Sequence, residues 1–140
     1  MTGPRGEWAG IVVALVEHGY QELGFWYPVL RLRELGADVY IAGPSAEETY
    51  RSQLGYPVIP DGDLASGAAR KPDVLIVPGG DAGRRLAVSE PFGDLVRAQA
   101  ARGALVCVVG DPGDLAGDIF SATPDDLPAL VPALLKALNG

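Results

Sequence analysis

Three short runs of consecutive apolar residues punctuate the chain: Ile11 to Val16, Val74 to Val77 and Leu105 to Val109. Each is rich in β-branched side chains and is closed by glycine, proline or charged residues, which predicts a strand. The hydrophobicity is continuous rather than alternating, so these strands need cover on both faces. That is the requirement of a parallel sheet lying between two layers of helices. A fourth segment, Asp38-Val-Tyr-Ile-Ala-Gly43, predicts another strand.

Helical periodicity fills the intervals. It is clearest near the C-terminus, where Leu127, Leu130, Val131, Leu134, Leu135 and Leu138 mark one apolar helix face. Thr123 is the expected N-cap, Pro124 the expected first helical position, and Asp125 and Asp126 complement the helix dipole. A second helix fits Ser89 to Arg102, with Phe92, Leu95, Val96 and Ala100 on one face and Gly103 as the stop. The first helix, about Glu22 to Leu35, contains Pro28, which predicts a kink or a restart. From Pro44 to Arg70 the chain is polar and turn-rich except for Tyr56-Pro-Val-Ile59, which predicts a short edge hairpin and no second domain.

Alternation of strand and helix implies an α/β fold: a three-layer sandwich with a doubly wound, mostly parallel sheet of flavodoxin type, forming one domain over residues 1–140. In such folds the ligand crevice lies at the carboxyl ends of the strands. Function is therefore expected after Val16, Val77 and Val109.

Composition narrows the partners. The formal net charge is −7, from 18 acidic and 11 basic side chains. That balance repels a phosphate backbone and argues against nucleic acid. No apolar run approaches the length of a membrane span, and Met1-Thr-Gly-Pro-Arg5 lacks the apolar core of a secretory signal, so a cytoplasmic protein without membrane partners is expected. The chain has 1 cysteine, Cys107, which excludes an intramolecular disulfide and a cysteine-rich zinc site.

The three strand ends read Glu17-His18-Gly19-Tyr20-Gln21-Glu22-Leu23-Gly24, Pro78-Gly79-Gly80-Asp81 and Gly110-Asp111-Pro112-Gly113-Asp114. A dinucleotide-binding turn needs G-x-G-x-x-G after the first strand and a P-loop needs Gly-Lys-Ser/Thr; neither is present. The order and spacing of Gly19-Tyr-Gln-Glu-Leu23, Tyr27-Pro28, Gly36-Ala-Asp-Val-Tyr-Ile-Ala42, Gly55-Tyr-Pro-Val58, Asp73-Val-Leu-Ile-Val-Pro-Gly-Gly80, Arg102-Gly103 and Ile119-Phe-Ser-Ala-Thr-Pro-Asp-Asp-Leu127 resemble the ThiJ/PfpI family of peptidase-like, chaperone-like and glyoxalase-like proteins. The resemblance covers nearly the whole chain.

What it implies for chemistry is a loss. The family carries a cysteine on a strained strand-to-helix turn, in a pattern like Cys-His-Gly-Pro, and a glutamate from the first loop bonds its thiolate. Aligned through Arg102-Gly103, the nucleophile position falls on Gly110, the histidine position on Asp111 and the glutamate position on Gly24. An exposed sulfur, a managed pKa and oxyanion donors are all needed for that chemistry. Cys107 lies three residues too early, inside the strand, where a thiol is buried and inert. The chain is also short at Gly117-Asp118, where the family adds a helix and further strand material beside its site.

The crevice remaining from this resemblance comprises Gly24, Gly79, Gly80, Gly110 and Asp111. The Gly79-Gly80 amides are candidates to hold an anion or a carbonyl; as the alternative, these glycines simply make tight turns. His18, Glu22, Asp111 and Asp114 form no recognised metal pattern, so neither metal nor cofactor is expected. Asp111 and Asp114 are read as turn and helix-start residues, and His18 as a solvent-facing turn residue. The favoured expectation is a non-catalytic module that binds a small molecule, an anion or another protein, with a homodimer implied by the resemblance. The alternative is a divergent hydrolase or glyoxalase-like enzyme using Asp111 with His18 or Glu22. Trp26 and Tyr27 serve either the core or a dimer contact on this reading.

Overall fold

The computed structural model describes residues 8–121 and 124–139. Its main sheet is built from β1 (Ile11–Leu15), β2 (Asp38–Gly43), β5 (Gly62–Asp63), β6 (Val74–Pro78), β7 (Leu105–Val109) and β8 (Ile119–Ser121). The strand order is β5-β2-β1-β6-β7-β8, and every pairing is parallel. The chain winds outward from β1 to β2 and β5, then returns to lay β6 on the other side of β1. The doubly wound expectation is met, and the point where the winding reverses lies between β1 and β6.

The apolar runs are buried on both faces because helices cover both. On one side Val12, Ala14, Ile76, Cys107 and Val109 pack with Phe25, Val29 and Leu32 of α1 (Glu22–Glu34) and with Leu127, Leu130, Val131 and Leu134 of α5 (Leu127–Asn139). On the other, Val13, Leu15, Leu75, Val77, Val106 and Val108 meet Leu64 of α2 (Leu64–Ala69), Leu86 of α3 (Gly80–Ala87), and Phe92 and Leu95 of α4 (Glu90–Ala101). Burying each of these side chains contributes about 1.5–3 kcal/mol before conformational entropy is set against it.

Several local expectations are corrected. Pro28 does not restart α1, which runs unbroken from Glu22 to Glu34 with Pro28 buried on its core side. The hairpin forms from β3 (Tyr50–Arg51) and β4 (Pro57–Val58), but as a separate two-stranded sheet; the edges of the main sheet are β5 and β8. Its placement follows from hydrogen bonds to the loop after β1: Gly19 N donates to Arg51 O at 2.8 Å and Gln53 N to Tyr20 O at 3.0 Å. Pro124 begins a short 3-10 turn (Pro124–Asp126) and α5 itself starts at Leu127; Thr123, the expected cap, lies outside the described residues. At α4 the expected start holds, with the Ser89 hydroxyl accepting from Phe92 N. Among the described residues no helix is long and apolar enough to cross a membrane.

Candidate functional site

The carboxyl ends of four strands surround one cavity of about 240 Å³. Leu15 closes β1, Pro78-Gly79-Gly80 follow β6, Val109-Gly110-Asp111 follow β7, and Ser121 ends β8. Gln21, Gly24 and Phe25 from the start of α1, together with Gln53 and Leu127, complete the wall. The five crevice residues expected from the sequence, Gly24, Gly79, Gly80, Gly110 and Asp111, all line this cavity.

The backbone here is arranged by close approach. Gly79 N donates to Val109 O at 2.7 Å, Gly80 N donates to Asp111 O at 2.8 Å, and Gly110 N donates to Ser121 O at 2.7 Å. Gly110 sits at φ +106° and Gly80 at φ +61°, conformations that L side chains rarely adopt. The sharp turn after β7 is therefore present, with glycine in it. These bonds also answer the question left open about the glycine pair. Both amides are committed to backbone carbonyls, so they are turn-forming groups and not free donors for an anion.

Gly24 stands at the glutamate position that the family resemblance implies. Its N–H donates to the Gln21 side chain at 2.6 Å, which caps α1. A Cβ built there would lie 3.1 Å from a γ-methyl of Val109, the residue before Gly110. Position 24 thus faces the end of β7, and the same Cβ would lie 2.9 Å from Gln21 Oε1, so a side chain there requires its neighbours to shift.

The acid–base set proposed for a divergent enzyme is not assembled. Asp111 is exposed at the cavity wall, and its Oδ1 accepts from Gly113 N at 3.2 Å, which fastens the turn. His18 lies outside the cavity lining: its Nε2 pairs with Glu48, its Nδ1 accepts from Arg51 N at 3.2 Å, and its ring packs 5.0 Å from that of Tyr50. Glu22 is turned to the hairpin, where Oε2 accepts from the Ser52 hydroxyl and from Leu54 N at 2.9 Å. The Ser52 hydrogen bond, chiefly, holds its carboxyl below the usual range. Asp114 is exposed in a turn, and no helix begins there. No three described His, Cys, Asp or Glu side chains converge as a metal site requires.

Cys107 is fully buried in β7 between Ile76 and Ile119 of the flanking strands, and burial pushes its thiol up to about 12. It has no thiolate character near neutrality.

One polar group in the cavity was not anticipated. The Ser121 side chain is 2% exposed, and its Oγ has no hydrogen-bond partner among the described residues. The apolar runs of the sequence point to three strand ends, whereas the short Ile119–Ser121 strand supplies a fourth end to the same crevice. Gln21 and Gln53 were likewise missed, because neither residue type announces itself in a loop.

Comparison with known proteins agrees with this architecture. A model of the DJ-1/PfpI family matches residues 11–113. Protein dj-1beta of Drosophila melanogaster is 29% identical over 127 residues, which is 85% of this chain and 68% of that protein. Its crystal structure superposes with a TM-score of 0.72 at 27% identity, over 89% of this chain and 71% of that one. A two-domain protein from Anabaena variabilis, with DJ-1/ThiJ/PfpI-like and ferritin-like domains, gives a TM-score of 0.82 at 22% identity, covering 92% of this chain and 50% of that chain. A DJ-1 superfamily protein from Salmonella typhimurium gives 0.81 at 16% identity, with 94% and 91% covered. With more than half of its length matched by the family model, the chain belongs to the DJ-1/PfpI family.

Proposed function

We propose that this chain is a catalytically degenerate DJ-1/PfpI domain that acts by binding, as a homodimer. The observation that carries this reading is the turn after β7, which keeps its left-handed geometry at Gly110 while presenting no nucleophile. Three facts support it. The cysteine present is buried with a raised pKa, the glutamate position is Gly24, and Asp111 fastens its own turn. Peptidase- or glyoxalase-type chemistry requires an exposed nucleophile next to a base, and the described cavity wall offers neither. Purified protein should therefore show no turnover of ester, anilide or 2-oxoaldehyde substrates above a Cys107→Ala, Asp111→Asn double variant. Activity in the parent that this double variant loses would defeat the reading, and so would activity that survives in both.

The homodimer rests on α1. Leu23, Trp26, Tyr27 and Leu30 follow one another at helical spacing, and Leu23 and Leu30 are about half exposed. They line a shallow groove with Arg31, Arg33 and Glu34 at its rim. An apolar stripe with charged flanks suits a two-fold contact in which the same face meets itself. Light scattering should give twice the chain mass for the parent and a monomer for Leu30→Glu. A monomeric parent at high concentration overturns the assignment.

A further inference from the structure

We infer that the cavity at the strand ends binds a small, uncharged, mostly hydrocarbon molecule carrying one oxygen, an alcohol or a simple ketone, anchored by the hydroxyl of Ser121. The inference rests on the non-catalytic reading above and names the class of ligand for that same site.

Size sets the first limit. At about 240 Å³, and open to solvent on one side, the cavity is suited to a compact molecule. The second limit is the wall. Leu15, Phe25, Ile76, Val109 and Leu127 give it an apolar character. A ligand that fills it gains by removing hydrocarbon from water.

Charge excludes two further classes. Among the described residues no lysine, arginine or histidine lines the cavity. The amides of Gly79 and Gly80 already donate to Val109 O and Asp111 O, so an anion would be desolvated with nothing to receive it. The one ionised wall residue, Asp111, is exposed and held by Gly113 N, so a cation inside would also lack a buried counter-charge. Of the ligands open to this crevice, a neutral one is therefore favoured over an anion.

Specificity then comes from the buried side-chain oxygen that has no partner among the described residues. A serine hydroxyl donates to a carbonyl or accepts from an alcohol, and Ser121, which lines the cavity, carries an Oγ with no partner among the described residues. A ligand oxygen placed against it completes the hydrogen bonding that the fold leaves open.

Cyclohexanol is a suitable probe, titrated into the intact labelled protein and followed through backbone amide shifts. Binding on the order of 1 mM is expected from its seven non-hydrogen atoms, with shifts centred on Gly24, Gly79, Gly110 and Ser121. Ser121→Ala should keep a native amide spectrum and weaken binding about tenfold, the worth of one hydrogen bond. Cyclohexanecarboxylate and cyclohexylammonium should bind more weakly than the alcohol. No shifts with cyclohexanol, an unchanged affinity in Ser121→Ala, or tighter binding of either ion overturns the inference. Those results leave the non-catalytic reading intact, since it fails only on turnover in the substrate assays.

Discussion

Replacing Gly79 by alanine should destabilise the protein by about 3 kcal/mol, read as a lower midpoint of urea unfolding at unchanged slope. The cause is contact, not dihedral angle. Gly79 sits at φ −90°, which any residue adopts, but a Cβ there would lie 2.4 Å from Asp111 O, and 2.9 Å from the carbonyl carbons of both Asp111 and Gly110. All three atoms are backbone, and the turn that carries them is pinned by Gly79 N to Val109 O and Gly80 N to Asp111 O. Relief requires the end of β6 and the turn after β7 to move apart, with loss of those bonds. Gly80→Ala makes the informative comparison. Its Cβ meets open space, and only the φ of +61° opposes it, a cost of about 1–2 kcal/mol. A Gly79→Ala variant as stable as the parent would show that the two turns do not approach as described.

The second large effect is alkaline. Cys107 has its folded pKa raised from 9.0 to about 12 by burial, because the neutral thiol is the form the core accepts. A raised pKa means that the full stabilisation is present below the unfolded value, near 9, and is lost as pH climbs toward the folded value. Three units at 1.36 kcal/mol each make about 4 kcal/mol across the whole window, of which about 2 kcal/mol disappears between pH 8 and pH 10.5. Tyr20 and Tyr50 are also raised by desolvation and act in the same direction. The difference between the parent and Cys107→Ala removes their share. Unfolding free energies measured from pH 8 to pH 10.5 should fall less steeply in the variant, and parallel curves would contradict the burial of the thiol.

The sheet was legible because parallel strands covered on both faces have no polar face to obscure them. Ile11 to Val16, Val74 to Val77 and Leu105 to Val109 could be little else. The helix α4 was equally plain, since Ser89 and Gly103 mark its ends. What escaped was short or weakly patterned. The helix α2 is six residues long with Leu64 as its one large buried side chain, although Asp63, whose carboxylate accepts from Ser66 N at 2.8 Å, was there to be read as its cap. The helix α3 buries Ala82, Gly83 and Leu86 within eight residues, too few to display a period. Of the candidate site, the five glycine and aspartate positions were found because the resemblance supplied them. The separation of His18 and Glu22 from Asp111 was not readable, because it is decided by the hairpin, whose Arg51 amide and Ser52 hydroxyl claim those two side chains.

The arrangement of the main sheet carries a consequence for how copies of the molecule can meet. Its two margins are the shortest strands it has, Gly62–Asp63 on one side and Ile119–Ser121 on the other. A rim with two or three residues of unpaired backbone is a poor template for another chain to zip onto, so continuous polymerisation and fibre growth by strand addition are disfavoured. Association through side chains on the helical layers, by contrast, can close on itself after a single pairing and stop.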